Sequence, residues 1–228
     1  MSWEEGDAKR FFNWHPVMMI CAFAFMTLAS LSFRVRYYSQ NVSRGTLKLL
    51  HGIKWTVAAI CAIIGLVAVF KSHNDPYSGY IANLYSLHSW IGIAVITLYL
   101  YQFLSGAFAF GMQVSFISSI QRAQVLAFHQ FIGPFIYILT GATILLGIQE
   151  KEGFIGCSYT VTSPDYNPIQ HYLGIPLVCR ISHGLGLVVF IMMLTTSYAL
   201  FTVSCPERST RMDSIWFFER GVGGRNFM

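Results

Sequence analysis

Residues 81–93, IANLYSLHSWIGI, decide the fold. His88 stands in an apolar, aromatic run that reaches Gly111 without a charged residue. A bilayer core of ~30 Å needs about 20 residues of helix, and this run supplies them. A histidine inside such a segment is expensive to leave unbound, so it marks a functional site by default. The arrangement recurs: His15, His51 and His129 also stand near the start of long apolar runs.

The rest of the chain agrees with a polytopic membrane protein. Of its 228 residues 54% are hydrophobic and 11% charged, against about 25% charged in a soluble domain. Aromatic residues make up 16%, which suits the bilayer interfaces favoured by Trp and Tyr. Five runs are long enough to span: about 14–33, 49–70, 84–110, 123–149 and 181–205. Lipid forces backbone groups to bond within each segment, so all five are helices, and short connections make neighbours antiparallel. The expected fold is all-α: an antiparallel four-helix transmembrane bundle plus one further span. Segment 1–12 is polar and lacks the pattern of a cleavable signal peptide. It is read as a non-cytoplasmic N-terminal segment, 13–205 as the transmembrane domain and 206–228 as a cytoplasmic tail. The net charge of +5 comes without a basic cluster interleaved with aromatics, which argues against nucleic acid.

Orientation follows from Lys and Arg. One side carries Arg34, Arg36, Arg44, Lys48, Arg122 and four arginines of the tail. The other carries Lys9, Arg10, Lys71, Lys151 and Arg180. The richer side, with the C-terminus, is expected in the cytoplasm. Lys54 is the one charge inside a span and is expected to snorkel outward. In this orientation His15 and His88 lie at the outer level and His51 and His129 at the cytoplasmic level, roughly 20 Å apart.

Two imidazoles on facing helices make a poor zinc site, since zinc takes three or four protein ligands. They make a good haem site. Iron brings four nitrogens with the porphyrin, and two histidines complete it for electron transfer with no open position for oxygen. The third and fourth spans repeat H-x3-G-x13-G, as His88, Gly92, Gly106 and His129, Gly133, Gly147. Gly106 and Gly147 return to the histidine face about 27 Å further on, near the other level, where they are expected to clear space for a porphyrin. Structural histidines in a non-haem transporter are the competing reading. Against it, no span holds a carboxylate and no Pro-broken helix pair is visible.

Several stretches together resemble the cytochrome b561 family of ascorbate-dependent transmembrane di-haem proteins. They are Phe12-Asn-Trp-His-Pro-Val-Met18, Lys48-Leu-Leu-His51, Val67-Ala-Val-Phe-Lys-Ser-His-Asn74, Ala82-Asn-Leu-Tyr-Ser-Leu-His-Ser-Trp90, Leu104-Ser-Gly106 and Gly147-Ile-Gln-Glu-Lys151. The resemblance covers residues 11–205 and implies two haem b groups, one held by His15 and His88, the other by His51 and His129. It implies an ascorbate-dependent reductase that passes an electron from cytoplasmic ascorbate to monodehydroascorbate or ferric iron outside. A di-haem electron-carrier module serving a larger partner is the alternative. Arg44, Lys48 and Arg122 match the family's cytoplasmic ascorbate site, and Phe70, His73, Asn83 and Tyr85 its outer pocket. For the basic residues the competing reading is topology charge, and for His73 a solvated loop. The implied partners are ascorbate, the acceptor, the lipid bilayer and, as one option, a second copy of the chain. The implied membrane is the plasma membrane or that of endosomes, lysosomes or secretory vesicles. The family usually has six spans, with one helix ahead of the FNWHP stretch, where this chain shows about a dozen polar residues. Cys157 and Cys179 fall on the oxidising side of the last loop, where they either form a disulfide or remain thiols. His183, with His171, Asp165 and Glu152, has the chemistry to bind ferric iron or zinc; packing or solvation is the plainer role for each.

Overall fold

The computed structural model describes residues 7–35, 41–112, 117–157 and 174–202. Helix α1 (Ala8–Phe12) and α2 (Trp14–Ser30) meet at Asn13, and a 3-10 turn (Leu31–Phe33) prolongs α2. Pro16 stands in the first turn of α2, where its missing N–H leaves no gap in the ladder. Then come α3 (Arg44–His73), α4 (Leu87–Gly106) with a π-turn at Ala107–Gly111, α5 (Ser119–Phe154) and α6 (Leu177–Thr202). Serines start the middle three. The Ser43 hydroxyl accepts from Thr46 N–H, and Ser86 and Ser118 form capping boxes with Ser89 and Gln121.

All five expected spans are helices long and apolar enough to cross a membrane, and no strand occurs among the described residues. The chain is a multi-pass membrane protein. Helices α3 and α5 outrun the apolar stretches that announced them. At 1.5 Å per residue the 36 residues of α5 reach about 54 Å, well beyond a ~30 Å core. Polar, well-capped turns such as Ser119–Arg122 continue the helix into the interface, because hydrogen bonding along the helix does not depend on hydropathy. Residues 203–205 of the expected fifth span and all of the tail lie outside the described residues, as do His171 and Asp165.

Helix α2 packs along α3, α5 packs between α4 and α6, and α2 touches α5. The buried centre is Phe23, Met26, Ala58, Tyr99, Ile136, Tyr137, Ile144 and Val189. Phe23 stacks on Tyr137 at 4.9 Å, and the Tyr137 hydroxyl lies 2.8 Å from Thr27 Oγ1. Tyr99 donates to the Trp55 carbonyl at 2.6 Å. Ile60, Ile63, Leu98, Leu104, Val188 and Leu194 face outward and exposed, which suits hydrocarbon as the solvent. Lys54 Nζ reaches the end of α2, donating to Leu28 O at 3.2 Å and Ser32 Oγ at 3.0 Å.

Candidate functional site

The four histidines form two pairs. His15 and His88 have ring centroids 6.1 Å apart at one level, and His51 and His129 6.4 Å apart at the other. In each pair, one ring comes from the α2–α3 side of the bundle and the other from the α4–α5 side. A metal bonded by both Nε2 atoms at about 2 Å would separate the centroids by roughly 6 Å, so each gap suits one ion on two imidazoles.

Backbone carbonyls set the rings. His15 Nδ1 donates to Gly65 O at 3.0 Å, His51 Nδ1 to Ala29 O at 2.9 Å and His88 Nδ1 to Thr143 O at 2.9 Å. A donating Nδ1–H fixes the neutral tautomer that leaves Nε2 free to bind metal. A common register underlies these bonds. Ala29, Gly65 and Thr143 each lie 14 residues after the histidine of their own helix, and each receives the histidine of the neighbouring helix. Fourteen residues of α-helix rise about 21 Å, which sets the separation of the two levels. The fourth position of this register, 14 residues after His88, is Gln102. There the side chain acts instead: Gln102 Nε2 donates to the His129 carbonyl at 2.7 Å. His129 Nδ1 is buried with no hydrogen-bond partner among the described residues.

The repeated glycines make room for the histidines of the facing helix. A Cβ on Gly147 would lie 2.7 Å from His88 Cε1 and 3.1 Å from its Nδ1, and one on Gly106 would lie 3.1 Å from His129 Cε1. The space they leave holds an imidazole of the facing helix. Helices α4 and α5 are antiparallel, so the glycine one turn past each level on one helix meets the histidine of the other. Gly92 meets only the Thr143 methyl, at 3.7 Å.

One face of α5 therefore seats the start of α4 three times. Thr143 accepts from His88, Gly147 admits its ring, and Glu150 accepts from Tyr85 at 2.6 Å and Ser86 at 3.0 Å. Burial first, and then the Glu150 carboxylate, push the Tyr85 phenol up to about 12. Glu150 stands in the Gly147–Lys151 stretch, and its spacing from Thr143 and Gly147 on one helix face is the signal in the sequence that points to it. His73 Nδ1 lies 3.2 Å from Asn83 Oδ1, Asn83 donates to Asn74, and the His73 ring stands 6.4 Å from Tyr85. The structure thus gathers His73, Asn83 and Tyr85. Phe70 sits one turn before His73 and lines an adjoining open groove with Lys71, Asn74 and Tyr77. Lys71 lies over the Phe11 ring at 4.3 Å and Lys151 over Phe12 at 4.6 Å, and Phe12 stands 6.1 Å from His15. Cys157 and Cys179 are joined in a disulfide that ties α6 to the end of α5. His183 pairs with Glu152 at 3.5 Å.

At the other end, Arg44 and Lys48 share a face in the first turns of α3, and Arg122 is in the first turn of α5. The His51–His129 pairing brings these two helix starts together. Aromatic rings cluster beside the His51 level: His51 to Trp55 at 5.9 Å, Trp55 to Tyr99 at 5.4 Å and Tyr99 to Phe103 at 6.1 Å.

Residues 14–155, the stretch carrying all four histidines and their carbonyl partners, match the family model of eukaryotic cytochrome b561. The chain belongs to that family. Cytochrome b561 membership implies haem b, and the two imidazole pairs, with Nδ1 donating to carbonyls at three of four positions, fit that group. No cluster of three or more metal-ligating side chains exists among the described residues. Among relatives, the transmembrane ascorbate ferrireductase 1 of Arabidopsis thaliana is 35% identical, over 68% of this chain and 62% of its own. The plasma membrane ascorbate-dependent reductase CYBRD1 of Xenopus laevis is 37% identical over 66% and 51%. The transmembrane ascorbate-dependent reductase CYB561 of Homo sapiens is 38% identical over 78% and 67%. The matched part spans about half to two thirds of these relatives' length.

Proposed function

We propose that this cytochrome b561 carries single electrons from cytoplasmic ascorbate across the membrane, through two bis-histidine b haems, to monodehydroascorbate or ferric iron on the far side. The observation that carries the proposal is the pair of imidazole sandwiches, 6.1 and 6.4 Å between centroids, held about 21 Å apart across the bundle. Haem iron ligated on both faces would supply a one-electron couple with no position open to oxygen. The chain's own residues do the rest. Arg44, Lys48 and Arg122 attract the ascorbate anion to the end where His51 and His129 lie. The buried rings of Phe23, Tyr99 and Tyr137 keep water out of the path between levels. His73, Asn83 and Tyr85 offer hydrogen bonds to an acceptor beside His88, and the His73 imidazole can exchange the proton that accompanies reduction of monodehydroascorbate. The Cys157–Cys179 disulfide supports placing that end on the non-cytoplasmic, oxidising side.

The test is haem stoichiometry and ascorbate reduction on the purified chain, followed by vesicles loaded with ascorbate and given ferric chelate or monodehydroascorbate outside. Two haems per chain, a low-spin spectrum reduced by ascorbate and acceptor turnover are expected. A colourless protein would refute the cofactor. Reduced haems that deliver to neither acceptor would point to a carrier module serving a larger partner.

A further inference from the structure

We infer that Lys54 is a fixed cation that raises the reduction potential of the haem held by His51 and His129. The inference rests on the reading of those two residues as axial ligands. Among the described residues, Lys54 is the one Lys or Arg in the interior of an apolar span, and a charge there needs a partner or a task. Its Nζ donates to Leu28 O at 3.2 Å and Ser32 Oγ at 3.0 Å, and the buried Ser32 hydroxyl itself donates to Leu28 O at 3.0 Å. Leu28 is in the last turn of α2, at the negative end of the helix dipole. An ammonium is at home there.

The neighbouring carbonyl, Ala29 O, holds His51 Nδ1. Lys54 and His51, one turn apart on α3, thus grip consecutive carbonyls of the same helix end. These linked contacts keep the ammonium within roughly 10 Å of the imidazole, given the spacing of adjacent carbonyls in a helix. Lys48 and Arg44 are exposed at the helix start, where salt screens them; Lys54 sits deeper and is screened less. A haem held by these histidines would supply a one-electron couple; ascorbate, giving up one electron and one proton to become monodehydroascorbate, would be the reductant. A cation at this range favours the reduced form, by on the order of tenfold in the reduction equilibrium at an intermediate dielectric. Tenfold is 59 mV for one electron. The entry haem would then fill more completely at a given ascorbate ratio.

The test is an optical redox titration of the full chain in nanodiscs, for wild type, Lys54→Met, Lys54→Gln and Lys54→Arg, with haem content measured on each. One of two midpoints falls by about 59 mV in the Met and Gln variants, the other stays, and Arg restores the wild-type value. In a His88→Ala background, which retains the cytoplasmic haem alone, the surviving midpoint is the one that moves. Unchanged midpoints in fully loaded Met and Gln variants overturn the inference, as does a shift in the other haem. Loss of haem in Met and Gln with retention in Arg replaces tuning by a structural role. A wild type with fewer than two haems refutes the ligand assignment instead, which keeps the two failures apart.

Discussion

Gly147→Ala tests the packing that seats His88. The new methyl would arrive 2.7 Å from His88 Cε1, 3.1 Å from Nδ1 and 3.2 Å from Nε2. Ordinary carbon contacts begin near 3.5 Å, so the ring or the helix must retreat by roughly 0.8 Å. Both escapes meet the same obstacle. Thr143, which holds His88 Nδ1 at 2.9 Å, is on the same face of α5 one turn away. A retreat of that size stretches the bond to about 3.7 Å, past the limit of a hydrogen bond. The lost bond and the half-buried donor left behind cost about 1–3 kcal/mol. In haem affinity that is between several-fold and about a hundredfold. The assay is haem per chain by alkaline pyridine difference spectrum, during dilution in detergent, with helix content followed by circular dichroism. We expect one of two haems to dissociate while the helices persist. Gly186→Ala, which meets only Leu145 Cδ2 at 3.8 Å, serves as the control. Full occupancy and an unchanged spectrum in Gly147→Ala would refute the account of α4–α5 packing.

Further outcomes follow from the same geometry. His88→Ala and His51→Ala should each lose one haem, and different ones by their midpoints; haem content equal to wild type in both would remove the ligand assignment. Lys48→Ala and Arg122→Ala should slow reduction by ascorbate severalfold and flatten its salt dependence, leaving reduction by a neutral dye unchanged. Tyr85 has a folded pKa of about 12, above the ordinary 10, so its contact with Glu150 contributes fully below pH 10 and is lost as pH rises through 12. The gap in thermal stability between wild type and Tyr85→Phe should therefore stay constant to pH 10 and close above it; a gap that closes at neutral pH would contradict the assignment. Replacing Cys157 and Cys179 by serine should lower the temperature of haem release while leaving the spectrum intact. Closing this loop, with a separation of 22 residues, is worth about 3 kcal/mol.

Much of this protein is legible in its residues alone. Hydropathy reports a local quantity, the cost of putting each side chain into lipid, so the five spans and the all-α class follow without tertiary information. The four histidines stand out for the same reason, as costly groups in apolar runs, and alternation of direction is enough to sort them into two levels. Tertiary structure decided what holds them. The acceptors for His15, His51 and His88 are carbonyls of Gly65, Ala29 and Thr143, and a carbonyl belongs to every residue, so no side-chain pattern announces it. The glycine repeat was visible, yet its purpose depended on the register of two antiparallel helices: what fills the space beside Gly147 is a ring 59 positions earlier in the chain. Lys54 shows the same division. Composition made it a lone charge with a flexible stem, free to point either way. The packed end of α2, with the Leu28 carbonyl and the Ser32 hydroxyl, fixed where its ammonium lands, one turn along α3 from His51.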